Sequence, residues 1–203
     1  MTPSPFTLRS VQAFGYRYPL TTPVITSFGR MKDRPAVFVR VEDADGNTGW
    51  GEVWCNFPAP GAEHRVRLVN EVLAPALVGF TVPEPSAAFE HLTQGTSVLA
   101  LQSGEAGPFA QSIAGIDLAV WDLHARRQNL ATVATLLAAG AEAGTIRPDV
   151  QAEDVLRATG VVWQLDDQPG WEEHARTMLR LIMDGLRYGA SGQASGDHPL
   201  QPR

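Results

Sequence analysis

The sequence predicts an α+β fold: a three-stranded antiparallel meander, then a helical bundle, then a short all-α segment. Three observations predict it. Residues 6–54 alternate apolar and polar side chains around one strong turn signal, Asp43-Ala44-Asp45-Gly46-Asn47. From residue 62 onward the apolar residues switch to helical spacing. No run of about 18 apolar residues occurs, so no membrane-spanning helix is expected.

In chain order, residues 6–18 alternate loosely and read as the first strand. The Thr/Pro-rich stretch 19–34 reads as a loop. Residues 35–42 form the second strand, and Gly46 supplies the positive φ that the turn needs. Residues 48–54, Thr-Gly-Trp-Gly-Glu-Val-Trp, form the third. A helix follows over 62–80, with Pro75 expected to kink or divide it. A second helix spans about 84–94, after Pro83 and Pro85. A third runs from Pro108 to about Arg127, with Phe109, Ile113, Ile116, Val120 and Leu123 as its apolar stripe. Arg126 and Arg127 suit its negative C-terminal end. Helices are then expected over 131–143, ending at Gly144, over 151–163 with Asp149 as N-cap, and over 170–188 with Glu172 and Glu173 in the first turn. Residues 191–203 are rich in Ser, Gly and Pro and are expected to be disordered.

Composition narrows the function classes. A 44% hydrophobic and 19% charged chain is of the ordinary globular kind. A net charge of −6 and the lack of a basic recognition helix argue against nucleic acid as partner. Cys55 is the single cysteine, which rules out an internal disulfide framework and a Cys-based zinc site. The first residues, Met-Thr-Pro-Ser-Pro, show no basic region followed by an apolar core, so a cytoplasmic location is expected. Lys32 is the single lysine, the sole candidate for any lysine-based acid/base chemistry.

Several separated motifs follow one another here: Pro19-Leu20, Ser27-Phe28-Gly29, Val39 to Asp43, Asp45 to Glu52, Gly61 to Arg65, and Ala114 to Leu123. Together they resemble the N-terminal capping domain of the mandelate racemase and muconate lactonizing group of the enolase superfamily, over residues 1–130. The resemblance implies that the domain closes over a (β/α)-barrel and holds no catalytic group itself. It implies that two loops touch a carboxylate substrate. By position these are residues 20–30, with Thr22, Ser27 and Phe28, and residues 52–62, with Trp54, Asn56 and Phe57. The family's barrel supplies lysines or a histidine and three carboxylates that hold Mg²⁺. Such a barrel needs about 200 residues or more, which the polypeptide after Arg127 does not provide, and no lysine follows Lys32. The expectation is a catalytically incomplete chain with no cofactor of its own.

The stretches Leu136 to Asp149, Ala152 to Arg157 and Asp184 to Ala190 resemble the C-terminal domain of TetR-type repressors, over about 133–190. That resemblance implies a dimerising or small-ligand-sensing helical segment, with Trp163, Trp171 and Met178 lining an apolar pocket. A helical stripe in the protein core accounts for them equally well. The expected domains are therefore 1–130 and 131–190, with the tail 191–203. The candidate partners are a second copy or a separate barrel chain. A rearranged fragment without evolved function stays open as an alternative.

Single residues have plainer readings beside these. Trp50 reads as a core residue, and Trp54 fits core or loop lining equally. Asp43 and Asp45 read as turn residues because further calcium ligands do not follow. Asp117 and Asp122 are five apart on one helix, so they do not face each other as a metal pair would. Cys55 lacks an evident partner constellation for a nucleophile. His91, His124 and His174 read as surface or satisfied histidines.

Overall fold

The computed structural model describes residues 4–27, 29–160 and 170–190. Strands β1 (Phe6–Thr26), β2 (Gly29–Asp43) and β3 (Thr48–Val53) form an antiparallel meander. A two-residue strand, β4 (Thr81–Val82), joins the free side of β1 through Phe6 and Thr7. The sheet order is β3-β2-β1-β4, one strand more than the alternation predicts. Two residues are too few to show a period, and only the partner strand makes them a strand.

The expected loop over 19–34 is instead the far half of a long hairpin. Pairing runs from Leu8 with Asp43 out to Thr26 with Gly29, with an irregularity between Pro19 and Val24. Pro19 and Pro23 signal a loop, but both fall within or beside that irregular stretch, and the β-branched Val24, Ile25 and Thr26 re-enter the ladder.

Helix α1 (Gly61–Arg67) widens into a π-helical segment, Leu68–Leu73, and ends as α2 (Ala74–Leu77). Pro75 sits at the start of α2, so the proline divides this helix as expected: it has no N–H to give the carbonyl one turn back. Helix α3 (Pro85–Gln102) runs eight residues past its expected end. Gly95 costs about 1 kcal/mol relative to alanine but does not stop a helix whose buried stripe, Ala88, Leu92, Thr96 and Ala100, continues past it.

The expected helices over 108–127 and 131–143 are a single helix, α4 (Ala106–Glu142). Nothing between Ile116 and Ala139 breaks a helix, and the stretch is rich in Ala and Leu. Arg126 and Arg127 therefore sit mid-helix rather than at a C-terminal end. The real end is at Gly144, φ +67°, where the N–H groups of Thr145 and Ile146 return to the Gly140 carbonyl. Helices α5 (Ala152–Gly160) and α6 (Trp171–Arg187) follow. Asp149 does not cap α5; its carboxylate takes two 2.6 Å bonds from Arg147. The remainder of the helix expected over 151–163, and the tail 191–203, lie outside the described residues.

The chain divides into two compact units, Met1–Arg127 and Gln128–Arg203. In the first, the inner sheet positions Leu8, Val11, Ala13, Val37, Val39, Val41 and Val53 pack with Leu73, Leu77, Leu92, Ile116, Val120 and Leu123. Each fully buried Val, Leu or Ile among them contributes about 1.5–3 kcal/mol. In the second, the buried apolar residues among those described are Leu137, Ala152, Ala175 and Ala190.

Strand β3 is brought unusually close to α4 by Gly49 and Gly51. A methyl at Gly49 would lie 2.7 Å from Leu123 Cβ, and one at Gly51 2.8 Å from Ala119 N, each also meeting a helix carbonyl. Trp50 between them points the other way. It is 44% exposed and lies 6.1 Å from the Phe14 ring, so it is not the core residue expected. Strand alternation decides this: the two glycines occupy the inner positions. The Trp50 N–H donates to Asp122 Oδ2 at 2.9 Å, which closes the outer edge of the sheet.

Candidate functional site

Along β1 the inner positions read Val11, Ala13, Gly15, Arg17. Where the core ends, the inner position becomes an arginine, and that residue organises the distal end of the sheet. Arg17 Nε and Nη2 form a fork on Glu63 Oε1 and Oε2, both at 2.7 Å. Nη1 donates to Asp33 Oδ1 at 2.6 Å, and Nη2 also donates to the Ala59 carbonyl at 2.6 Å. One guanidinium thus ties the far half of the β1–β2 hairpin to the segment 54–60 and to the first turn of α1. The family resemblance marks residues 20–30 and 52–62 as substrate loops; Arg17 and Asp33 flank the first on its two strands, and Ala59 lies within the second.

The electrostatics follow from this geometry. The hydrogen bonds from Arg17 draw the Glu63 carboxyl down from 4.5 to about 2. Glu63 in turn, with Asp33, holds the Arg17 guanidinium further above its already high ordinary value. A lowered carboxylate contributes stability that is present above pH 4.5 and is lost as pH falls through about 2. A carbon-13 NMR titration of the Glu63 carboxyl is expected to give a midpoint near 2; a midpoint at the ordinary value would show that the fork does not form in solution.

The individual residues sit as follows. Thr22 and Ser27 are exposed on the hairpin; Phe28 lies outside the described residues. Trp54 is 51% exposed, while Asn56 and Phe57 are half-buried beside a cis Phe57–Pro58 bond. Cys55 is buried, and burial pushes its thiol up, so it is held protonated rather than primed as a nucleophile. Lys32, the single lysine, is exposed on β2. Arg65 is 3% exposed and donates to the Gly61 carbonyl at 2.9 Å and to Gln111 Oε1 at 2.8 Å, which fixes the end of the 52–62 segment against α4. Trp171, 40% exposed, and the half-buried Met178 lie two turns apart on α6; Trp163 lies outside the described residues.

Several residues have structural partners. Asp43 accepts from the Asn47 N–H and side-chain amide and pairs with Arg127, which also reaches Asp45 at 2.9 Å. Asp122 takes Arg126 Nε as well as the Trp50 N–H. His91 bonds the Ala76 carbonyl and stacks on Phe80, His124 lies between Phe6 and Trp121, and His174 bonds the Gly170 carbonyl. Among the described residues no three His, Cys, Asp or Glu side chains gather to hold a metal. No helix among them is long and apolar enough to cross a membrane. Sequence reasoning missed Arg17: a charge on the core side of a strand is its only local signal, and Glu63 is 46 positions away.

The fold and its paired distal segments define an α+β domain of the enolase-superfamily type. A solved mandelate racemase/muconate lactonizing enzyme from Bordetella bronchiseptica RB50 is 37% identical, with a TM-score of 0.56 over 90% of this chain and 57% of that one. A solved enolase-superfamily member from Polaromonas sp. JS666 is 27% identical, with a TM-score of 0.51 over 61% of this chain and 31% of that one. An o-succinylbenzoate synthase of Geobacillus stearothermophilus is 33% identical over 53% of this chain, and one of Enterococcus faecalis is 26% identical over 60%.

The sequence model of the mandelate racemase / muconate lactonizing enzyme N-terminal domain matches residues 9–138, and the chain belongs to that family. It spans 27% and 31% of the length of the two synthases. None of these comparisons supports the repressor resemblance of residues 133–190. The Bordetella match covers too much of this chain to stop at residue 130.

Proposed function

We propose that this chain supplies the capping part of a mandelate-racemase/muconate-lactonizing-type active site, and that its hairpin tip and its 52–62 segment close over a carboxylate substrate. The acid/base groups and the Mg²⁺ ligands then come from a barrel, on the same polypeptide or a separate one. The observation that carries the reading is that Arg17 bonds both Asp33, at the foot of the 20–30 hairpin end, and the Ala59 carbonyl within 52–62, a segment that also presents the half-exposed Trp54.

Two measurements test it. The purified chain with Mg²⁺ is expected to exchange no α-proton of 2-hydroxy or sugar acids into D₂O above the uncatalysed rate; exchange by this chain alone would refute the division of labour. A chimera of the Geobacillus o-succinylbenzoate synthase, with residues 9–138 of this chain replacing its corresponding segment, is expected to form o-succinylbenzoate. Trp54→Ala in that chimera is expected to slow turnover about tenfold, the equivalent of about 1.4 kcal/mol of transition-state binding. A chimera indifferent to Trp54 would remove the substrate-facing role.

A further inference from the structure

We propose that Arg17 is a positioning residue that couples the last regular step of the β1–β2 hairpin, at Asp33, to the 54–60 segment, so that the two substrate-facing segments order and move as one unit. The proposal rests on the capping reading for its functional meaning, but the coupling itself is a property of this chain.

The connectivity argues for it. The β2–β3 ladder ends at the pair Val37 and Val53. Beyond that pair, Arg17 holds the segment 54–60 to the sheet through the Ala59 carbonyl. The hairpin has a matching weak point, because its ladder is irregular between Pro19 and Val24. Arg17 and Asp33 stand just before that irregularity, one on each strand. The guanidinium therefore braces the last regular step of the hairpin and the midpoint of the neighbouring segment at once.

Chemistry makes arginine suited to this. Its planar fork takes both oxygens of Glu63 while two further directions remain for Asp33 and Ala59. A lysine ammonium has no fork and cannot reproduce all four bonds. Glu63 also orients the start of α1, and Arg67 on the same helix adds to the positive field around it. Local opening at either segment must break the shared node, so each segment's opening loosens the other.

The test is hydrogen–deuterium exchange of the full chain, read by peptide. In Arg17→Met, peptides over 19–27 and 54–60 are both expected to exchange about tenfold faster, while peptides over 37–41 and 113–123 keep their wild-type rates. Asp33→Asn and Glu63→Gln each remove one charged arm at nearly constant volume. Both are expected to speed the same two segments by a smaller factor, and Arg17→Lys should fall between wild type and Arg17→Met. If Arg17→Met does not fold, the two single-arm variants carry the same reading.

Acceleration of one segment only, of neither, or of the core peptides equally would overturn the coupling. The outcome is independent of catalysis. A Trp54-indifferent chimera sinks the capping role and leaves the coupling standing, whereas unchanged exchange sinks the coupling even if the chimera turns over.

Discussion

Gly51→Ala is expected to destabilise the first unit by about 3 kcal/mol, which at this chain length corresponds to a fall in melting temperature of roughly 10 °C. The added methyl would meet the Gly115 carbonyl oxygen, Ala119 N at 2.8 Å and Leu118 Cβ at 3.0 Å. Two of those neighbours are helix backbone, which cannot rotate away as a side-chain end can. Relief requires α4 to shift as a rigid body, and Ile116, Val120 and Leu123 on that helix are fully packed in the core. Gly49→Ala should cost as much, since it meets the Ala119 carbonyl and Leu123 N. Gly46→Ala is a useful contrast: nothing crowds it, and its penalty comes only from a φ of +88°. Thermal unfolding followed by near-ultraviolet absorbance or circular dichroism checks all three. A Gly51→Ala chain that melts within 2–3 °C of wild type, a shift of about 1 kcal/mol, would show that β3 and α4 are not in direct backbone contact.

Asp43→Ala is expected to cost about 3 kcal/mol, at the lower end for breaking a buried ion pair. Asp43 is fully buried, and Arg127 retains 17% side-chain exposure, so part of the orphaned charge can still be hydrated. Burial alone pushes the Asp43 carboxyl up. The Asn47 side chain and N–H and the Arg127 guanidinium outweigh that, and the net position is below the ordinary value of 3.8. A group lowered in the folded state contributes stability that is complete above its unfolded value. That stability is lost as pH falls through the lower folded one. Asp43→Asn should therefore flatten the acid limb of the stability curve below about pH 4 while costing less than Asp43→Ala at neutral pH. Urea unfolding between pH 2 and 7 measures both, and an Asn variant with an unchanged acid limb would contradict the pairing.

Much of this fold was legible because its signals are local. The turn Asp43 to Asn47 declares itself through Gly46 and three Asx residues, and the structure adds the Arg127 partner. Pro75 divides its helix because the defect is intrinsic to proline. The misreadings share a cause. The hairpin beyond Tyr18 was expected as loop because Pro19 and Pro23 look like breakers, yet pairing to β2 holds Val24 to Thr26 extended. The helix end expected near Arg127, which Arg126 and Arg127 suit, is overridden because helix propensity carries α4 on to Glu142.

The sequence by itself determined the α+β class, the meander with its turn, the helical remainder and the family to which residues 9–138 belong. Those follow from periodicity, backbone chemistry and linear motifs, which act over a few residues. Only the tertiary structure decided that Trp50 faces outward and its flanking glycines face α4. It also decided that Arg127 answers Asp43 across 84 positions, and that Arg17 joins the two distal segments. A guanidinium pairs with whatever carboxylate or carbonyl the fold carries to within about 3 Å, and that proximity is a result of packing that no stretch of sequence states.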